Sequence, residues 1–311
     1  MRIRFLVGIL VTPFALVAAR IDAAPPLGRA HAAFGETDAI VPAHVRAITA
    51  SPGATKPKRR WSSSGCSDDM VRVAGRFCID RFEMSMVDDE GERPLSPYYP
   101  PLQGLVGPIF DEWTQRLLDG SAGVDVPLPI LGDWQRTETF RPRAVSRSGA
   151  VPQGYLSKPL AENACRAAGK RLCTIDEWTT ACRGQQNTKF PYGGSYRQAA
   201  CNVFRSDHPG LILHGNFSVD LLDPRLNTVV AQGESLLRAT GATATCKSVW
   251  GDDAVYDMVG NLDEWVDDPE GTFVGGFYAR PTRNGCESKV TAHAATYLDY
   301  STGARCCDEL R

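Results

Sequence analysis

Apolar and polar residues keep a regular rhythm in only part of the chain. Met70–Val73 and residues 76–86 read as two strands around the turn formers Ala74-Gly75. Asp88-Asp89-Glu90-Gly91 makes the next turn. From 93 to 155 no period holds, and Pro94, Pro97, Pro100 and Pro101 break its first part, so an irregular insertion is expected. Inside it, Phe110, Trp113 and Leu117 share one helical face, which predicts a short helix over 110–118. A second helix is predicted over 159–168, with Ser157 as its cap, Gly169 as its stop and Leu160, Ala164 and Ala167 on one face. A third opens on the capping box Thr174-x-x-Glu177 and ends at Gly184; Trp178 and Cys182, four apart, lie on one side of it. Trp178 reads as a core anchor rather than a ligand platform. After Gly193 the chain reads as loops.

Within those loops lies Asp257-Met258-Val259-Gly260-Asn261-Leu262-Asp263-Glu264-Trp265. Gly260 and Asn261 tolerate a left-handed backbone and predict a tight turn, on which the Asp257 and Glu264 side chains can converge. Carboxylates and carbonyls gathered in this way suit a hard cation such as calcium. A hairpin with solvated acids is the plainer alternative.

Composition narrows the setting. The chain has 311 residues, a formal net charge of −2 and 43% hydrophobic content, enough for a packed core and poorly suited to nucleic acid. Met1-Arg2-Ile3-Arg4 precedes an apolar run over 5–19, which predicts a signal peptide over 1–23, with an uncleaved anchor as the alternative. Residues 24–64, rich in Ala, Pro and Ser and carrying the basic run Lys56-Pro57-Lys58-Arg59-Arg60, read as a disordered linker, and 65–311 as one domain. Ten cysteines in an exported chain argue for disulfides, and no C-x-x-C, H-x-x-x-H or H-E-x-x-H suggests zinc. His208 and His214 are expected at the surface. No G-x-S-x-G or phosphate loop is present.

Several segments recur in a known order: Gly169-Lys170-Arg171-Leu172-Cys173-Thr174-Ile175-Asp176-Glu177-Trp178, Ala181-Cys182-Arg183-Gly184, Phe190-Pro191-Tyr192-Gly193, the turn above, Val274-Gly275-Gly276-Phe277-Tyr278, and Thr302-Gly303-Ala304-Arg305-Cys306. This set resembles the formylglycine-generating enzyme, or sulfatase-modifying factor, family, from about Cys66 to the C-terminus. The resemblance implies an α+β, loop-rich fold similar to an elaborated C-type lectin-like domain. It pairs Cys165 with Cys306 and Cys182 with Cys286. Cys173 is then the natural partner of Cys307, Cys66 and Cys78 can pair locally, and Cys201 and Cys246 remain. Cys306 and Cys307 are adjacent on an expected strand, point to opposite faces and so need different partners. The resemblance also puts a calcium ion on Asp257, Gly260, Leu262 and Glu264, and a second site at Asn202.

The family holds copper(I) with two thiolates after its GGS motif. Counting from Gly275-Gly276, this chain offers Arg280 at the first position, and the second falls near Gly285, beside Cys286. With Cys286 in a disulfide, copper chemistry is not expected. Arg280, Arg283 and His293 come from the region of the family's groove and could bind an anion or a peptide carboxylate, with Tyr278 and Tyr297 lining it. A plain surface cluster is the alternative. Iron-dependent sulfoxide synthases among the relatives carry their iron histidines on a domain this chain lacks. The expected function is binding or maturing another exported protein or peptide, in a secreted or periplasmic setting. The alternatives are a copper oxidase forming formylglycine in sulfatases and a structural or ligand-recognition lectin-like module.

Overall fold

The computed structural model describes residues 60–62, 65–90 and 92–311; the expected signal peptide and nearly all of the expected linker lie outside the described residues. Strands β1 (Met70–Val73) and β2 (Phe77–Asp80) form an antiparallel hairpin, and β3 (Met84–Asp88) follows. The expected strand 76–86 is therefore two strands. The break has a cause: Ser146 Oγ accepts the Phe82 N–H at 3.0 Å, and Glu83 turns inward to accept from the Leu262 N–H at 3.2 Å and the Asn261 amide at 2.6 Å.

The stretch expected to be irregular carries three elements: α1 (Gln103–Asp119), α2 (Asp133–Thr137) and β4 (Pro142–Ser146). Pro108 sits inside α1, where it forfeits a helical hydrogen bond. Burial of Val106, Ile109 and Trp113 outweighs that loss, at roughly 1.5–3 kcal/mol for each large apolar side chain. β4 pairs antiparallel with β3 from Met84↔Ser146 to Asp88↔Pro142, tying the insertion to the domain.

Helix α3 (Lys158–Ala167) begins after Ser157, whose side chain makes no cap bond; the buried face is Ala161, Ala164 and Cys165, while Leu160 stays half-buried. After β5 (Arg171–Leu172), α4 (Ile175–Arg183) opens on the full capping box: Thr174 Oγ1 accepts the Glu177 N–H at 3.2 Å, and Glu177 Oε2 accepts the Thr174 N–H at 2.9 Å. The loops beyond carry α5 (Pro209–His214), the hairpins β6 (Val230–Ala231)–β7 (Glu234–Ser235) and β8 (Lys247–Trp250)–β9 (Asp253–Tyr256), then β10 (Asp263–Trp265), β11 (Phe273–Val274), β12 (Lys289–Val290), β13 (Thr302–Ala304) and β14 (Cys306–Glu309).

Two four-stranded sheets organise the domain, in the orders β1-β2-β14-β5 and β12-β11-β10-β13; only the β10–β13 pairing is parallel. Arg305 is the single residue between β13 and β14, where the chain passes from one sheet to the other. Because neighbouring strand residues face opposite ways, Cys306 joins the core of Leu172, Trp265 and α1, while Cys307 joins the core of Ile79, Trp178 and Cys173. All ten cysteines are bridged: Cys66–Cys78, Cys165–Cys306, Cys173–Cys307, Cys182–Cys286 and Cys201–Cys246.

The two histidines expected at the surface are drawn inward. His214 Nε2 lies 2.9 Å from the buried carboxylate of Asp223, and His208 Nε2 lies 3.1 Å from the Tyr300 hydroxyl. Polar partners inside the loop region explain the difference: each ring keeps a hydrogen bond after leaving water.

Candidate functional site

The turn between β9 and β10 forms as its residue types demand. Asp257, Gly260 and Asn261 have φ of 58°, 84° and 60°. A Cβ on Gly260 would stand 2.2 Å from the Asn202 carbonyl oxygen, so only glycine fits there. That carbonyl accepts the Asn261 N–H at 2.9 Å. The Asn261 side chain is fixed by backbone on both sides: its oxygen accepts from the Arg238 N–H at 3.0 Å, and its amide donates to the Arg238 carbonyl at 3.1 Å and to Glu83 at 2.6 Å.

Beneath the turn, Glu83, Asp257 and Glu264 are all buried around the buried guanidinium of Arg305. Arg305 donates Nε to Glu264 Oε2 at 2.7 Å and Nη2 to Oε1 at 2.6 Å, a bidentate pair, and reaches the carbonyls of Asp80 at 3.3 Å and Tyr256 at 2.9 Å. Trp178 donates its indole N–H to Glu264 Oε2 at 2.8 Å. Trp178 is thus a fully buried anchor. Asp257 accepts the Gly241 N–H at 2.7 Å. Burial, then the charges of Asp257 and Glu264, push Glu83 well above the usual carboxylate range. Burial, opposed by the Gly241 N–H and Arg305, pushes Asp257 up to about 6.

Whether this set suits calcium turns on charge and free oxygens. Three carboxylates share one guanidinium, an excess of negative charge that a cation or protons must balance. Of the expected calcium ligands, Glu264 is committed to Arg305 and Trp178, and Asp257 accepts the Gly241 N–H. At Asn202, the residue expected at a second site, the side-chain amide donates to Leu236 O at 2.8 Å and Asn261 Oδ1 at 2.9 Å, and the buried Oδ1 has no hydrogen-bond partner. Among the described residues, no group of three or more His, Cys, Asp or Glu side chains is gathered to hold a metal ion.

The region where a thiolate pair is expected looks different. Arg280 forms an ion pair with Asp263 on β10 and lies over the Phe277 ring at 5.5 Å. Asp263 is fully buried and its Oδ2 has no hydrogen-bond partner. Burial, opposed by Arg280 and aided by the charge of Asp299, pushes Asp263 up to about 7. Asp299 accepts the Ser301 N–H and hydroxyl, both at 2.8 Å, and the Tyr297 hydroxyl. Tyr297 stacks on His293 with ring centroids 4.0 Å apart, and His293 stacks on Phe273 at 5.7 Å.

Of the three side chains singled out by sequence, Arg280 and His293 thus attach to a common group around Asp263 and Asp299, while Arg283 stands exposed outside it. Tyr278 is buried, with its hydroxyl 3.2 Å from Asn227 Oδ1, and packs rather than lines a groove. Cys286, at the second expected position, is bridged to Cys182. Sequence reasoning gave no role to Glu83, Asp263, Asp299 or Arg305. Arg305 and Asp263 stood in quoted motifs, so a signal existed; Glu83 and Asp299 carry none.

The family profile described as "Sulfatase-modifying factor enzyme 1-like domain" matches residues 131–293, more than half of the chain. No curated protein matches. Among solved structures, CarF is 13% identical with a TM-score of 0.38, covering 76% of this chain and 87% of its own. PvdO from Pseudomonas aeruginosa is 16% identical with a TM-score of 0.36, covering 75% of this chain and 80% of its own. The Major Tropism Determinant U1 variant is 14% identical with a TM-score of 0.37, and the match covers 78% of this chain but only 53% of that longer one. The architecture is α+β, loop-rich, disulfide-stapled and of the C-type-lectin-like kind, and the sequence profile makes this chain a member of the sulfatase-modifying-factor, or formylglycine-generating enzyme, family.

Proposed function

We propose that this member binds or matures another exported protein or peptide without the classical copper chemistry. Two observations carry the reading: Cys286 is bridged to Cys182, and Arg280, at the other expected thiolate position, is ion-paired to Asp263. Copper(I) needs soft thiolate ligands; a bridged sulfur is not a thiolate, and a guanidinium has no lone pair to give and repels a cation. What the surface offers instead is a half-exposed guanidinium backed by a buried carboxylate, suited to the carboxylate or carbonyl of a peptide. Export is supported by the basic-then-apolar N-terminus and by five disulfides, which persist in oxidising compartments. No helix among the described residues is long and apolar enough to cross a membrane.

The experiment is to incubate copper-loaded protein with oxygen, reductant and a Cys-x-Pro-x-Arg peptide, then to measure both binding and aldehyde by mass. Binding without aldehyde, weakened by Arg280→Ala, is expected. Turnover lost in Cys286→Ser would make this a copper oxidase, and no binding at all would favour a structural module.

We also propose a structural calcium ion held by Asp257 with the carbonyls of Gly260 and Leu262, supported by the left-handed turn at Gly260-Asn261 and by the three carboxylates buried beneath it around one guanidinium. Ligand that binds only the folded state stabilises it by RT ln(1 + [L]/Kd), roughly 2.7 kcal/mol at a hundredfold excess over Kd. Chelation is expected to lower the melting temperature, and Asp257→Asn to remove that sensitivity. Identical melting curves with saturating calcium and with chelator would eliminate the ion.

A further inference from the structure

A polar cleft of about 420 Å³ lies between the loop 196–207 and the β6–β7 hairpin, and neither Asp263 nor Arg280 lines it. Its walls include Arg205, Arg238, Asp207, Gln232 and Glu234. Arg205 Nη1 and Arg238 Nη2 both donate to one oxygen of Glu234, Oε2, at 2.9 and 2.6 Å. The remaining bonds of the two guanidinium groups are few: Arg205 Nη2 reaches Ser235 O at 3.4 Å, and Arg238 Nη1 reaches Thr243 Oγ1 at 3.1 Å. Two planar forks therefore converge on a single carboxylate that fills neither of them bidentately.

The carboxylate they hold is easily spared. Glu234 projects from a two-residue strand next to the tight Gln232-Gly233 turn, and its side chain is 58% exposed. Exposed ion pairs of this kind contribute little to stability, because water and salt screen them. The arginines are less exposed, with side chains 20% and 27% exposed, and their backbones are held. Asn261 clamps the Arg238 backbone from both sides, and the Arg205 N–H donates to Tyr278 O at 2.9 Å. Two arginine forks on held backbones and an exposed resident carboxylate are what an exchangeable oxyanion site requires.

We propose that Arg205 and Arg238 form an oxyanion-binding clamp, closed in the free protein by Glu234, which a ligand's oxyanion displaces. The shared chemistry of its ligands is a planar or tetrahedral oxyanion: the carboxylate of an acidic side chain or chain terminus, a sulfate or a phosphate. Binding bidentately to both forks makes more charge-assisted bonds than Glu234 does, and frees the hairpin tip.

The test is calorimetric titration of the full chain with glutarate, inorganic sulfate and inorganic phosphate in separate arms, which tells the carboxylate source from the other two. Glu234→Gln keeps the shape of the resident side chain and removes its charge; it is expected to tighten binding of the preferred oxyanion on the order of tenfold. Arg205→Lys in that background retains charge but loses the fork, and is expected to reverse the gain; Arg238→Ala should abolish binding. Far-ultraviolet circular dichroism checks that each variant is folded, and Arg205→Ala replaces Arg238→Ala if the latter is not. No binding to Glu234→Gln up to about 10 mM of any probe, or binding unchanged by loss of either arginine, would overturn the clamp.

Discussion

At the scale of single residues, Arg305 ties separate parts of the domain together. It stands where the chain crosses between the two sheets, and it ties β2, β9 and β10 through Asp80, Tyr256 and Glu264. Burial works against its charge, but Glu264, Glu83 and Asp257 outweigh that cost. Removing one partner of a buried pair leaves the other uncompensated, so Arg305→Met is expected to destabilise the domain by about 3–5 kcal/mol. Adding Glu264→Gln should recover part of the loss. Denaturant midpoints of the single and double variants measure both, and a single variant as stable as the parent would show the pair to be dispensable. The sequence marked both positions inside motifs without revealing that they meet. A contact between residues 41 apart, one on β10 and the other in the link between β13 and β14, has no local signature.

At the scale of elements, local chemistry was readable wherever it was self-contained. The capping box at Thr174 and Glu177 and the turn at Gly260-Asn261 depend on neighbouring residues alone, and the structure forms both. Thr174→Ala is expected to cost about 1 kcal/mol, read from the thermal midpoint. Gly260→Ala should cost more than about 2 kcal/mol, since it adds a clash with Asn202 to the strain of a positive φ. Gly233→Ala, with a φ of 81° but open space around it, is the control that isolates strain from clash. Equal losses at the two glycines would mean that the close approach to Asn202 carries no weight. Reading failed where tertiary burial overrode a local breaker. Helix α1 runs through Pro108 because Val106, Ile109 and Trp113 are buried on either side of it. The strand expected over 76–86 split because Glu83 found partners nearly 180 residues away.

At the scale of the whole molecule, buried carboxylates make stability depend on pH. Asp257 and Asp263 have folded values of about 6 and about 7, both raised above the unfolded value of 3.8. A raised carboxylate favours the folded state fully below the unfolded value, and that advantage is lost as pH rises through the folded one. Together they imply that calcium-free protein loses on the order of a few kcal/mol between about pH 4 and pH 8. Melting temperature measured in chelator should fall across that window, and less steeply with calcium present; a flat or rising profile would show that these groups are not held as described. The disulfides act on the same scale. Closing the loop from Cys165 to Cys306, 141 residues apart, contributes on the order of 4–5 kcal/mol in the chain-entropy account.

The proposed absence of copper chemistry rests on the bridges: a copper site of the family's kind would need two thiolates, and every cysteine here has a partner. The most direct measurement is alkylation of the exported protein, unfolded without reductant, followed by intact mass. The account predicts that no cysteine is labelled. Two labels, with Cys286 among the modified residues, would contradict it and return copper oxidation to the leading place.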